Sequence, residues 1–250
     1  MNQEQVSAEP MGELGRLTGV LFDPKPAFVD IAARPVRWWV PLVLLSALSV
    51  VFITLFTQRV GWEQVVRQAI EQNPQAQERL AAIPAERREE VIRQQASISK
   101  TAGYVFSVVG TPLFALILAG IFLFVFNLLA GVSEVRFKSA FAVICYALLP
   151  FGVRGLLAGV MMYVQSPAEF DIQNPVMSNV AAVLDPDMTP KWVLSVLRSV
   201  DLFNIWTVLL IATGFSVMGR RMTWGRAFGW VLGSWLVWLL VVGLWSAIFS

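Results

Sequence analysis

Five long apolar stretches of this chain hold one charged side chain between them, Arg154. A guanidinium inside a bilayer costs at least about 2.5–3.5 kcal/mol on insertion scales, so it must face protein or water and find an anion. Counted from Ser139, where its stretch begins, Arg154 lies about 15 residues in, or about 22 Å at helical rise. That depth puts it in the outer half of the bilayer. The next stretch starts on the same side at Asp201, the nearest carboxylate. The spacing predicts an intramembrane Arg154–Asp201 ion pair. Two other placements compete with it: Arg154 snorkelling to the outer headgroups, and Asp201 compensating the N-terminus of its own helix. Pro150 lacks a backbone donor and predicts a helix break near Ala147 or Phe151. The carbonyl it frees needs a neighbour or water. Such breaks line sites in some transporters and are plain kinks in other helices.

Other reactive chemistry is scarce. The chain has no histidine, which removes the commonest general base and the commonest metal ligand. Cys145 is the only cysteine, so neither an internal disulfide nor a thiolate metal cluster can form. Its position inside an apolar stretch reads as a buried, inert thiol. No zinc-protease motif, nucleophile elbow or phosphate loop occurs. The expectation is no catalytic residue, no cofactor site, no metal site and no enzyme. A net charge of +2 implies no nucleic-acid partner.

The elements that must position these residues are membrane spans. The five stretches are about 38–57, 104–129, 139–164, 202–219 and 227–249, and each is long enough to cross a bilayer core. The expected fold is all-α: a polytopic membrane protein, a five-transmembrane-helix bundle with short amphipathic N-terminal helices. Residues 1–36 read as a cytosolic or interfacial N-terminal segment, with Met1–Glu9 disordered, and 37–250 as the membrane domain. Trp38 opens a span that would insert uncleaved.

Two short helices are expected at Gly12–Phe22 and Asp23–Ala33. Asp23 can cap the second, with Pro24 at its first position. Ala27, Phe28, Ile31 and Ala32 share one face, while Lys25, Asp30 and Arg34 fall outside it. Such a helix directly before a span is expected in the membrane interface, its apolar face on lipid. The alternative is packing against the same protein. The hydrophilic stretch 59–100 is divided by Asn73-Pro74 and Pro84 into about three helices, with Asn73 as a cap. The last of them runs on into the second span. The mixed charges of Glu86–Glu90 read as a solvated helix face.

Basic residues set the orientation. Arg16, Lys25, Arg34 and Arg37, then Arg136 and Lys138, then Arg220, Arg221 and Arg226 fall on one side. On the other, the loop before Asp201 has Lys191 and Arg198 against Glu169, Asp171, Asp185 and Asp187. The stretch 59–100 adds seven basic residues to that side, with six glutamates. The bias predicts the N-terminus inside and the C-terminus outside.

Gly155 and Gly159, and Gly225, Gly229 and Gly233, recur every four residues and would let another helix approach closely. Packing within the bundle and self-association are both open uses. Trp230, Trp235, Trp238 and Trp245 read as packing and lipid contacts.

Several segments, in order, resemble the membrane domain of the Yip (Ypt/Rab-interacting protein) family, bacterial type. Phe22-Asp23-Pro24, Ala27-Phe28, Arg34-Pro35 and Trp38-Trp39-Val40-Pro41 resemble its entry. Asn127-Leu128-Leu129-Ala130-Gly131, Phe137-Lys138 and Tyr146-Ala147-Leu148-Leu149-Pro150 resemble its centre. Asp201-Leu202-Phe203-Asn204-Ile205-Trp206 and Gly214-Phe215-Ser216 resemble its last third. The resemblance runs from about Leu17 to Trp245. It implies five spans, a cytoplasmic N-terminus and, here, a bacterial inner membrane. The family's characterised eukaryotic members bind small GTPases and shape or sort vesicles; their Asp-Leu-Tyr-Gly-Pro motif does not occur in this chain.

The reading that follows is a non-enzymatic integral membrane protein that binds partners or organises the bilayer. Its partners would be lipid and another membrane protein, or a second copy through the glycine faces. The alternative is a small transporter or lipid-translocating protein using the Pro150 break and Arg154.

Overall fold

The computed structural model describes residues 10–249 apart from 36, 72, 133–134, 168–169, 173, 186–187 and 220–221. Met1–Glu9, and Glu169, Asp187, Arg220 and Arg221 of the charge pattern, therefore lie outside the described residues. The described chain is helical and holds no strand, only an isolated bridge between Asn179 and Asp201. This is an all-α polytopic membrane protein. Four helices are long and apolar enough to cross a membrane: Trp39–Arg59, Ala85–Leu129, Phe137–Val164 and Trp224–Ile248. The fourth expected span is a shorter apolar helix, Leu202–Ser216. At 15 residues it measures about 22 Å, less than the ~30 Å hydrocarbon core.

The chain divides into two compact units. The first comprises Met1–Leu42, Phe114–Pro150 and Asn179–Ser250. It holds α1 (Glu13–Phe22), α2 (Pro24–Ala33), α7 (Phe137–Ala147), α9 (Lys191–Ser199), α10 (Leu202–Ser216) and α11 (Trp224–Phe249), with the start of α3 (Trp39–Arg59) and the end of α6 (Ala85–Phe124). α6 runs into a π-helical turn, Val125–Leu129. Asn127 closes that turn: its side-chain amide donates to Val135 O, and its oxygen accepts from Val135 N.

α10 is the centre of this unit, with Phe203, Thr207, Leu210, Ile211, Ala212 and Phe215 buried. The enclosure is one-sided, since Leu202, Ile205 and Leu209 of the same helix are exposed. Phe215 stacks on Phe126 with ring centroids 4.4 Å apart. α11 returns beside α10, and Trp224 Nε1–H donates to Thr213 Oγ1 at 3.1 Å.

α1 and α2 begin and end as their sequence predicts, although Asp23 makes no side-chain capping bond. The apolar face of α2 is not left for lipid. Phe28 and Ile31 are fully buried, and α2 packs on α7 and α10. Periodicity identified the face but not its cover, because the cover comes from residues more than a hundred positions away.

The second unit comprises Val43–Leu113 and Phe151–Ser178. Gly61, at φ +84°, turns the chain from α3 into α4 (Trp62–Glu71). α5 (Pro74–Ala81) follows, capped by Asn73, which accepts from Gln75 N and Ala76 N. α4 folds back on the hydrophilic first turns of α6, burying Val66 against Ile92 and Ala96. α3 and α6 run antiparallel: Ser46 Oγ donates to Val108 O, and Tyr104 O–H to Thr54 Oγ1. α8 (Leu149–Val164) is covered in part by Phe56 and Phe170, which enclose Met162. Arg59, at the end of α3, donates to the last carbonyls of α8, Met162 O at 2.8 Å and Tyr163 O at 3.2 Å. This satisfies carbonyls that a helix end leaves orphaned, and brings the ends of α3 and α8 to one level.

Candidate functional site

A dense polar cluster lies where the N-terminal helices meet α7. Each of the first two helices carries or ends on an opposite-charge pair one turn apart, Glu13/Arg16 on α1 and Asp30/Arg34 at the end of α2, where Arg34 is the C-cap. The hairpin closes tightly because Gly19 faces Ala27, where a Cβ would stand 3.1 Å from Ala27 Cβ. That contact brings Arg16 beside Asp30. Arg16 Nε donates to Asp30 Oδ2 at 2.7 Å, and a second Arg16 nitrogen lies 2.6 Å from the same oxygen. Arg34 donates to Asp30 Oδ1, and Met11 N–H reaches that oxygen at 3.3 Å. Both Arg16 and Asp30 are buried.

The other end of the network is fixed by α7. Tyr146 O–H donates to Glu13 Oε2 at 2.6 Å and lies 3.3 Å from Arg37 O. Glu13 Oε1 accepts from Arg16 at 3.3 Å and from Arg37 at 3.4 Å. Ser139 Oγ donates to Ala32 O. Burial works against charge on Asp30, but the hydrogen bonds from Arg16, Met11 N–H and Arg34 outweigh it and hold the carboxyl below its usual value. Burial likewise works against Arg16, and the bond and charge of Asp30 raise it in spite of that. A carboxylate held ionised by two arginines is a poor general acid or base. The arrangement is suited to fastening the α1–α2 hairpin onto the helices beneath it.

Sequence reasoning kept these residues apart, since Asp30 and Arg34 fell outside the apolar face of α2. The available signal was one opposite-charge pair in each of two adjacent short helices, together with Tyr146 inside an apolar stretch.

The residues singled out from the sequence are dispersed. α7 ends at Ala147 and α8 begins at Leu149, with Pro150 its second residue. Arg154 lies half-buried on α8, and makes no hydrogen bond or ion pair with the described residues of its own unit. Asp201 is buried in the first unit and caps α10, accepting from Phe203 N at 2.9 Å and Asn204 N at 3.3 Å. Cys145 is buried in α7. Gly155, Gly159, Gly225, Gly229 and Gly233 face open space: apart from its chain neighbours and its own helix backbone, nothing in the described chain would lie within 4 Å of a Cβ at any of them. The close approaches are made by other glycines. A Cβ at Gly152 would stand 2.8 Å from Leu45 Cδ2, and one at Gly214 would overlap Val143. No group of histidine, cysteine, aspartate or glutamate among the described residues could hold a metal ion.

A sequence model of the Yip1 domain matches residues 18–247. No curated protein matches the chain, and no solved structure does.

Proposed function

We propose that this chain, which belongs to the Yip1 domain family, is a non-enzymatic five-span protein of a bacterial inner membrane that binds partners or organises the bilayer. The observation that carries this reading is the use of its intramembrane polar groups. Asn127 closes its own turn and Asp201 caps its own helix. Thr54, Thr57, Ser107, Thr213 and Ser216 bond carbonyls three or four residues back. Polar groups engaged in this way hold helices and do not line a path; Thr207 Oγ1, buried on α10 without a hydrogen-bond partner among the described residues, is an exception. Open glycine faces on α8 and α11 supply lipid- or partner-facing surface.

The five-span count draws support from two arrangements. Within the second unit, the antiparallel α3–α6 pair and the Arg59 cap give alternating directions to the first three crossings. Within the first, α10 and α11 form a further antiparallel pair. The short-loop charge bias then puts the N-terminus in the cytoplasm.

One observation favours the alternative of a small transporter or lipid translocator. Arg154 has no partner among the described residues of its own unit, one turn beyond Pro150. Two measurements decide. A photo-crosslinking residue at Glu86 or Gln94, both exposed on α6, should yield discrete protein adducts in cells. Purified protein in phosphatidylcholine vesicles should scramble a fluorescent lipid no faster than empty vesicles. Protein-dependent scrambling that Arg154→Met abolishes overturns the reading in favour of translocation.

A further inference from the structure

We propose that the groove between α9 and α11 binds one acyl chain of an anionic phospholipid. α9 is pinned against the C-terminal half of α11 at two points. Ser195 and Ser246 share a hydrogen bond of 3.0 Å. Val196 comes so near Gly243 that a Cβ there would stand 3.0 Å from Val196 Cγ2. Beside these contacts the helices leave a groove of about 680 Å³. Its floor is Leu236, Leu240, Gly243 and Ala247 of α11, and its wall is Trp192 and Val196, one turn apart on α9.

Three properties select the occupant. The first is chemistry: the lining is aliphatic or aromatic, so ordered water finds no partners there. α11 itself is long and apolar enough to cross a membrane, so the groove opens onto hydrocarbon. The second is length. From Leu236 to Ala247 the floor runs about 16 Å at helical rise, close to the ~15 Å of half a bilayer core. An acyl chain of one leaflet fits that run, with Trp192 and Val196 of α9 as its wall. The third is charge. α9 carries Lys191 and Arg198, both exposed, and no acidic residue. Lys191 directly precedes Trp192, and its flexible stem lets the ammonium reach a phosphate at the groove mouth. The site rests on α11 being a span and is independent of any protein partner.

The test is photolabelling of the full-length protein in vesicles, using a phospholipid with a diazirine on its acyl chain. Vesicles of phosphatidylcholine alone are compared with vesicles that also contain phosphatidylglycerol, the probe carrying either headgroup. Labelled peptides should map to 191–199 and 236–247 above the level on the rest of α11. Leu240→Trp fills the groove and should lower that labelling severalfold while labelling along α8 stays constant. Should Leu240→Trp fail to fold, Ala247→Leu serves in its place. The phosphatidylglycerol probe should label these peptides about fivefold more than the phosphatidylcholine probe, the ratio expected of one near-surface lysine, and Lys191→Gln should remove the excess. Uniform labelling along α11, or labelling that survives the filled groove, overturns the site. Equal labelling by the two probes overturns the anionic headgroup.

Discussion

The ring of Phe28 on α2 rests against the bare backbone of Gly214 on α10, where a Cβ would stand 3.2 Å from Phe28 Cδ1 and would overlap Val143 as well. Three segments distant in sequence meet at that point, so it tests whether the N-terminal hairpin is part of the fold or an appendage. Gly214→Leu should displace α2. Overpacking of this kind costs about 1–3 kcal/mol, to be read as lower thermal stability in detergent and faster proteolysis between Gly12 and Arg37. Unchanged protection of that segment would mean that α2 does not sit on α10.

The ion cluster makes the docking of the hairpin depend on pH. Asp30 is held below its ordinary value when folded, so the undocked chain binds a proton more readily. The contribution is therefore complete above about pH 4, the ordinary aspartate value, and is lost as pH falls through the lowered one. Hydrogen exchange of residues 12–34 should accelerate in acid, and Asp30→Asn should show fast exchange already at neutral pH with a flattened acid limb. Asp30→Ala strands the buried Arg16 and should cost more, about 3–5 kcal/mol for a broken buried pair. If exchange in this segment ignores both pH and substitution, the cluster is not what fastens it.

Most elements were legible because their signals are local. Pro24, Asn73-Pro74, Pro84 and Pro150 mark helix starts within a residue or two, and the apolar runs mark the long helices. The segments that carry the family resemblance include Phe28, Asn127, Tyr146, Asp201, Gly214 and Phe215, each of which makes a fixing contact in the first unit. Their contacts were not legible, since helical periodicity says that Phe28 and Ile31 share a face but not that Gly214 leaves room for them. The same gap separates the glycine pattern from glycine packing. Gly152 and Gly214 admit a neighbour, whereas the regularly spaced set faces outward.

That contrast predicts opposite outcomes for similar substitutions. Gly229→Leu and Gly233→Leu meet open space and should leave monomer stability within about 0.5 kcal/mol. Gly152→Leu meets Leu45 and should cost about 1–3 kcal/mol. If the outward face serves self-association, Gly229→Leu should also lower the dimer fraction seen by crosslinking in vesicles. An unchanged fraction removes self-association through α11.

Orientation is checked by labelling. In a Cys145→Ala background, single cysteines replacing Gln75 and Met188 should react with an impermeant thiol reagent added to intact cells, and one replacing Lys25 should react only after the membrane is opened. All three are exposed, so burial does not confound the result. The reverse pattern would invert the topology.

Arg154 still requires an anion. Within its unit none of the described residues supplies one, and the sequence nominates Asp201, which belongs to the other unit and already caps α10 through Phe203 N and Asn204 N. The cap and the charge can be separated, because asparagine caps a helix about as well as aspartate. Asp201→Asn keeps the cap and deletes the charge, and Arg154→Met keeps the aliphatic stem and deletes the other charge. If the two side chains pair, each single substitution strands a charge in a medium of low dielectric and lowers thermal stability. The double variant should then recover part of the loss, with a coupling of about 0.5–3 kcal/mol. If the two effects simply add, the pair is absent. Arg154→Lys then separates what is left: lysine should substitute fully when a lipid phosphate is the partner of Arg154, and poorly when the guanidinium's planar two-pronged geometry is needed by a bound carboxylate.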